Sequence, residues 1–160
     1  MLKKLGIGAY CAFATLILAV VSWIIYGVNV TSAGYFHNES VPSVVLFTIF
    51  AILCEALVIA ALFLPKKEGI LGKILPIVQS ALSVLAVFFL MFAAMRIIGA
   101  RAQGLGYILG ADSNAQAEFT AADFSSATMA IVAFIAYLVS SIAAVVTPFF
   151  GFEKKEKVAE

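Results

Sequence analysis

The sequence predicts an all-α integral membrane protein, built as a four-helix bundle. Of its 160 residues, 64% are hydrophobic, and the mean hydropathy is +1.11. Soluble domains are typically about half apolar, so much of this surface must face lipid. Four apolar stretches of about 20 residues or more each match a hydrocarbon core of about 30 Å. Because the connections are too short for a soluble domain, residues 1–160 are predicted to form one domain.

The apolar stretches predict the position of each helix in turn. The predicted helices span about 5–28, 43–64, 74–97 and 120–150. The first is longer than the apolar core of a signal peptide, so we expect a retained helix, with Trp23 and Tyr26 in an interfacial aromatic belt. Pro65 follows the second helix, and Pro76 lies at the start of the third, where proline is tolerated. Pro148 falls in the last turn of the fourth and is expected to bend it.

The connections differ in length. The link over 65–73 is short, which predicts an antiparallel hairpin of the second and third helices. On the opposite side, 29–41 forms the first loop and 98–127 a longer second loop that opens with four glycines. Loops of that length are often functional, so we expect external recognition there.

The second half of the long loop carries helix-start signals. Asp112 or Ser113 is placed to cap a short helix over 114–119. Thr120 followed by Asp123 resembles a capping box with aspartate in the place of glutamate. The fourth helix is therefore expected to begin outside the membrane. The residues predicted to take part in external recognition are Tyr107, Asp112, Asn114, Glu118 and Asp123.

Charge is distributed unevenly across the predicted membrane. One side carries eight lysines, namely Lys3, Lys4, Lys66, Lys67, Lys73, Lys154, Lys155 and Lys157. The other side carries only Arg96 and Arg101. Lysine and arginine favour the cytoplasmic side, so both termini are predicted to be cytoplasmic, in a multi-pass protein of the cell membrane.

Two helices carry stripes of small residues at spacings of three and four. In the first helix the stripe is Gly8, Ala12, Thr15, Ala19 and Ser22. In the fourth it is Ala130, Ala133, Ala136, Ser140, Ala143 or Ala144, and Thr147. Small residues let helices approach closely in lipid, so these faces predict contacts with neighbouring helices or with a second copy of the chain.

The residues required by common catalytic sites do not occur in suitable groups. His37 is the only histidine and lies in a loop, and no His, Cys and carboxylate cluster has metal-site spacing. Cys11 and Cys54 lie inside apolar runs without a CxxC pair, which argues against a disulfide. No basic patch is interleaved with aromatic residues. The sequence therefore predicts a non-enzymatic protein without cofactor or metal, whose environment is the lipid bilayer and which binds no nucleic acid.

Glu55 is the exception to the apolar pattern of the second helix. A carboxyl group in mid-membrane costs about 2 kcal/mol or more, so it is a candidate functional group. Counting from the helix ends places Thr15, Ser83 and Ser140 at the same depth. Arg96 lies about 20 Å above Ser83 and is expected to reach the headgroups or Glu39 instead. Without a nearby cation, we expect the Glu55 carboxyl to be neutral.

Two interpretations of this intramembrane polar cluster remain open. In the structural one, protonated Glu55 donates a hydrogen bond to one of the three hydroxyls and joins two helices. In the functional one, Glu55 is a protonatable site for coupled transport or a polar group that binds a partner helix. The whole-protein hypotheses are an accessory or scaffold subunit that binds a partner membrane protein, and alternatively a protomer of an oligomeric transporter or channel. A membrane enzyme would have only one intramembrane acid to work with.

Overall fold

The computed structural model describes residues 5–64 and 70–152, and the elements that follow are those of these residues. They are α1 (Ile7–Thr31), α2 (Pro42–Leu62), α3 (Ile70–Gly110), α4 (Ser113–Gln116), α5 (Ala121–Val146) and a 3₁₀ turn (Thr147–Phe149). The four long helices are each long and apolar enough to cross a membrane. The predicted all-α architecture with four membrane-spanning helices is confirmed, and the chain is a multi-pass membrane protein.

The long helices pack as a ring in which each contacts two neighbours. α1 lies between α2 and α5, and α3 packs against α2 and α5 on the other side. Neighbouring helices run antiparallel. We call the end where α1 and α3 begin the terminal end, and the opposite end the loop end.

Buried residues recur every three or four positions along the helices. In α1 these are Gly8, Ala12, Thr15, Ala19, Ser22, Tyr26 and Asn29, and in α5 and the 3₁₀ turn that follows it they are Ser126, Ala130, Ala133, Tyr137, Ser140, Ala144 and Thr147. This average spacing of about 3.5 residues is that of helices packed side by side at a small crossing angle. The predicted stripe of α1 is confirmed. In α5 the predicted Ala136 is half-buried, and Tyr137 occupies the buried position.

The terminal end is closed by backbone contacts between the start of α1 and the end of the α5 segment. The Gly6 N–H donates to the Phe152 carbonyl at 2.9 Å, and the Gly8 N–H to the Gly151 carbonyl at 3.2 Å. A Cβ at Gly8 would lie 2.3 Å from the Phe150 carbonyl oxygen, so the contact requires glycine. The α-helix gives way after Val146 to the 3₁₀ turn that contains Pro148, close to the predicted bend.

The third helix is much longer than predicted. It runs for 41 residues, about 60 Å at helical rise, and contains Pro76 in its interior. The predicted end near Ile97 is wrong, because 98–110 continue the helix instead of opening the loop. Glycine inside a helix costs about 1 kcal/mol relative to alanine, so the glycines within 98–110 favoured the prediction of a loop there. Gly104 packs closely against the first loop, where a larger side chain would meet the Tyr35 and Phe36 rings.

The faces that point away from the bundle are apolar, as expected for surfaces in lipid. Ile17, Leu57 and Met95, on three different helices, are all exposed. Trp23 is also exposed, and its place in an interfacial aromatic belt stays a prediction. The prediction for Tyr26 is wrong. Tyr26 is 2% exposed, and its hydroxyl accepts a hydrogen bond from the Val41 N–H, which joins the ends of α1 and α2.

Several predictions concern residues outside the described part of the chain. These are the start of the 65–73 link with Pro65, and the lysines Lys3, Lys4, Lys66, Lys67, Lys154, Lys155 and Lys157. Lys73 is described and lies exposed in α3. The antiparallel arrangement of α2 and α3, which the short link predicts, is confirmed. Ser43 near the start of α2 is bonded to Arg96 far along α3, while Val58 is bonded to Gln79 near the start of α3.

Candidate functional site

Glu55 lies inside the bundle and not on its lipid-facing surface. The residue is 0% exposed, and within residues 5–64 and 70–152 neither carboxyl oxygen has a hydrogen-bond partner. Ser83 on α3 is also 0% exposed, and its hydroxyl likewise lacks a partner among those residues. Buried polar groups in proteins are normally paired, so these two require an explanation.

The other two predicted neighbours of Glu55 are bonded elsewhere. Thr15 lies 3.4 Å from Thr147, oxygen to oxygen, and Ser140 lies 2.9 Å from Ser22. Thr15 and Ser22 are seven residues apart in α1, about 10 Å along the axis, so Thr15 and Ser140 are not at one depth. The prediction that Ser140 lies at the same depth as Thr15 and Glu55 is therefore wrong.

The error has a physical reason. Counting back from the end of the fourth helix assumed a rise of about 1.5 Å for every residue. After Val146 the chain forms a 3₁₀ turn and becomes extended at Phe150, so the segment from Thr147 to Phe152 reaches from the depth of Thr15 to that of Gly6, which takes nine residues of α1. Positions counted back through this stretched segment are displaced along the bundle axis, and Ser140 is shifted toward the loop end.

A second polar contact crosses the bundle from α2 to α5. The hydroxyls of Thr48 and Tyr137 are 2.6 Å apart, and both residues are fully buried. The Thr48 hydroxyl also bonds to the carbonyl of Val44 in its own helix. The sequence contained a signal for this contact, because Tyr137 falls on the buried repeat of α5. It was missed because a tyrosine does not belong to a small-residue stripe.

The loop end is a folded structure that sequence analysis treated as loops. We call residues 32–41 and 98–127 the loop-end cap. Its centre is Arg101, whose side chain is 2% exposed. Arg101 Nη1 donates to Glu39 Oε2 at 2.8 Å, and Nη2 donates to the Glu39 carbonyl. The guanidinium carbon lies 4.4 Å from the centre of the Phe36 ring, within cation–π range.

Close packing around Arg101 depends on Gly104 one turn later. A Cβ at Gly104 would lie 2.7 Å from ring atoms of both Tyr35 and Phe36. Phe36 itself is 1% exposed, and its N–H donates to the Ser126 hydroxyl at 3.2 Å. The first loop is thereby attached to both α3 and α5.

The role of Arg101 was missed, although the sequence carries a signal for it. The buried positions of α3 include Ser83, Leu90 and Ile97 at intervals of seven, and Gly104 continues that series. The same repeat places Arg101 on the buried face. Arg96, considered as a partner for Glu39, is instead exposed, and its Nε donates to the Ser43 hydroxyl at 3.0 Å.

The five predicted recognition residues fall into two groups. The carboxylates of Asp112 and Asp123 already accept hydrogen bonds at the starts of helices. Asp112 accepts from the Ala115 N–H at 2.9 Å, and Asp123 forms the predicted capping box with Thr120. Tyr107, Asn114 and Glu118 are exposed. The predicted short helix exists as α4, with Asp112 as its N-cap.

The outer part of α3 presents an unusual surface. We call residues 98–110 the α3 extension, about 20 Å of helix beyond the predicted span. Arg101 is its only charged residue, and it is buried. The opposite side, the extension face, consists of the exposed residues Gly99, Ala102, Gln103, Gly106, Tyr107, Leu109 and Gly110. Helices that end in water usually carry charge on their outer face.

Comparison with known proteins gives no relative. No protein-family model, no curated protein and no solved structure matches this chain. Among residues 5–64 and 70–152, no group of three or more His, Cys, Asp or Glu residues is placed to hold a metal ion. Cys11 and Cys54 are both free thiols. The class that the fold defines is a four-helix multi-pass membrane protein, with a buried carboxyl group and a folded cap at one end.

Proposed function

We propose that this protein is a non-enzymatic accessory or scaffold subunit that binds a partner membrane protein through the extension face of α3. The observation that supports the proposal most strongly is the absence of charge on that exposed face. Tyrosine and leucine at its edges supply contact area, and tyrosine is enriched among the residues that dominate binding energy in interfaces.

The centre of the extension face suits a helix as the partner. Nothing lies within 4 Å of a Cβ placed at Gly99, Gly106 or Gly110. Glycines at such positions allow a second backbone to approach closely, as in helix pairs within membranes. Because the α3 extension continues a membrane-spanning helix, the partner segment would be a helix that also rises out of the bilayer.

The proposed orientation places both termini in the cytoplasm and the loop-end cap outside the cell membrane. It is supported by the excess of lysine on the terminal side. In this orientation the extension face would be available to the external or headgroup-level part of a partner.

Photo-cross-linking in native membranes tests the proposed interface. A photoreactive amino acid at Tyr107 should give an adduct with a different polypeptide. The same amino acid at Glu118, which is exposed but outside the extension face, is the control and should give little adduct. Adducts only with a second copy of the chain would support a homo-oligomer instead, and no adduct at Tyr107 would contradict the proposal.

A second candidate function is that of a protomer in an oligomeric transporter or channel. The observation in its favour is Glu55, fully buried with no partner for its carboxyl oxygens within residues 5–64 and 70–152. Protonatable groups in such positions often take part in ion or proton coupling. Glu55→Gln should then abolish flux in proteoliposomes and leave assembly intact. Unchanged flux in this variant would exclude the coupling role.

A further inference from the structure

Glu55 and Ser83 occupy facing positions of two antiparallel helices. The Gln79 side-chain amide donates to the Val58 carbonyl at 3.3 Å, which sets the register of α2 and α3. Glu55 precedes Val58 by three residues, and Ser83 follows Gln79 by four. Because the two helices run in opposite directions, going back three residues in α2 and going forward four residues in α3 both lead one turn toward the loop end. Both steps also stay on the same face of their helix. The two buried groups therefore lie at one level of the same helix–helix interface.

The protein groups around this level are already engaged. At this level Thr15 of α1 is bonded to Thr147, and about 10 Å nearer the loop end Thr48 of α2 is bonded to Tyr137 of α5. A buried polar group without a partner destabilises the folded state. Two such groups at the same level destabilise the fold unless something else completes their hydrogen bonds.

Among the residues that the structure describes, no cation is placed to neutralise a Glu55 carboxylate. Lys73 lies ten residues before Ser83 in α3, about 15 Å along the axis, and Arg101 is held by Glu39 farther away toward the loop end. The remaining titratable side chains near this level are Cys54 on α2 and Cys11 on α1, and Tyr137 on α5 lies nearer the loop end; none of the three is cationic. An unpaired buried charge is very costly, so the neutral carboxylic acid is the stable form.

We propose that Glu55 and Ser83 form a binding site for a water molecule between α2 and α3. A neutral carboxylic acid offers one donor and acceptor capacity, and the serine hydroxyl offers one donor and two acceptor positions. Buried waters typically make about three hydrogen bonds to otherwise unpaired polar groups. One water held by both residues completes the hydrogen bonding of this interface, and the site does not depend on the proposed partner.

A double-mutant cycle on the full chain in detergent micelles tests whether the two residues share a ligand. Glu55→Met keeps the length of the side chain and removes its hydrogen bonding, and Ser83→Ala removes the hydroxyl. We expect the double variant to change the unfolding equilibrium constant about tenfold less than the product of the single changes, because each single change already leaves the other residue without the shared ligand. The matched control pair is Glu55→Met with Ser140→Ala, which should be additive because Ser140 is bonded to Ser22.

Infrared spectroscopy of the reconstituted protein identifies the ligand. We expect a carbonyl band of a protonated carboxylic acid at neutral pH that disappears in Glu55→Gln. We also expect an O–H band that shifts in water labelled with oxygen-18 and is lost in Ser83→Ala but not in Ser80→Ala. The proposal would be overturned if the effects of Glu55→Met and Ser83→Ala on unfolding were additive, or if the carboxylic acid band were absent. Coupled effects without a band that shifts in oxygen-18 water would also overturn it.

Discussion

At the scale of single residues, two buried ionisable side chains have opposite environments. Arg101 is paired with Glu39 and lies against an aromatic ring, so its charge is stabilised in the cap. Glu55 has no such partner within residues 5–64 and 70–152, and its burial favours the neutral acid. The first residue therefore stabilises structure through its charge, whereas the second is buried without a charged partner.

Arg101→Met should destabilise the loop-end cap by about 1.5–3 kcal/mol, because hydrogen bonds to charged groups contribute that much. Hydrogen exchange of residues 32–41 measures the effect, and the amides there should exchange faster. Arg96→Met is the matched control, since Arg96 is exposed and makes a single bond to Ser43. Equal exchange in both variants would show that Arg101 does not hold the cap together.

Two glycines of the α3 extension should respond to alanine with opposite signs. Gly104→Ala places a Cβ against the Tyr35 and Phe36 rings and should destabilise the protein. Gly106→Ala meets nothing within 4 Å and should stabilise the helix by up to about 1 kcal/mol. Unfolding in a denaturing detergent compares the two. Stabilisation by both substitutions would mean that Gly104 is not in close contact with the first loop.

At the scale of helices, the start of α5 is determined by local hydrogen bonds. Thr120 and Asp123 form a reciprocal capping box, and the helix continues without interruption to Val146. The sequence predicted this start because capping depends on residues close together in the chain. It did not predict the length of α3, because that depends on contacts between Gly104 and the first loop, which lies far earlier in the chain.

Thr120→Ala should cost about 1 kcal/mol of stability through loss of the cap. Hydrogen exchange should increase in the first turn of α5 and remain unchanged in its centre. Thr128→Ala provides the control, because the Thr128 hydroxyl bonds only to the Phe124 carbonyl in its own helix. A similar increase for both variants would contradict a specific capping role.

At the scale of the whole molecule, hydrophobic length predicted the four helices, and small-residue spacing predicted which faces of the first and last helices pack closely, without saying against what. Local signals also predicted Asp112 and Thr120 as helix caps. The sequence did not reveal the Arg101 network, because its partners meet only after the first loop folds onto α3 and α5. It placed Ser140 at the wrong depth because the chain after Val146 is a 3₁₀ turn followed by extended residues and is not α-helical to Phe150.

The proposed orientation is testable by chemical labelling of intact cells. Asn114→Cys, at an exposed position of α4, should react with a membrane-impermeant maleimide added outside. Lys73→Cys, exposed near the start of α3, should react only after the membrane is opened. Both variants need the native Cys11 and Cys54 replaced by alanine. The reverse labelling pattern would show that the protein has the opposite orientation in the membrane.

The central claim is that the extension face of α3 binds a partner membrane protein. Mass determination of the complex in native lipid tests it most directly. We expect the wild-type protein to carry a second, different polypeptide, and Gly106→Leu to lose it while remaining folded. Gly27→Leu, at another position where a Cβ meets nothing within 4 Å, should retain the partner. A wild-type mass equal to one chain, or to a multiple of it, would contradict the claim.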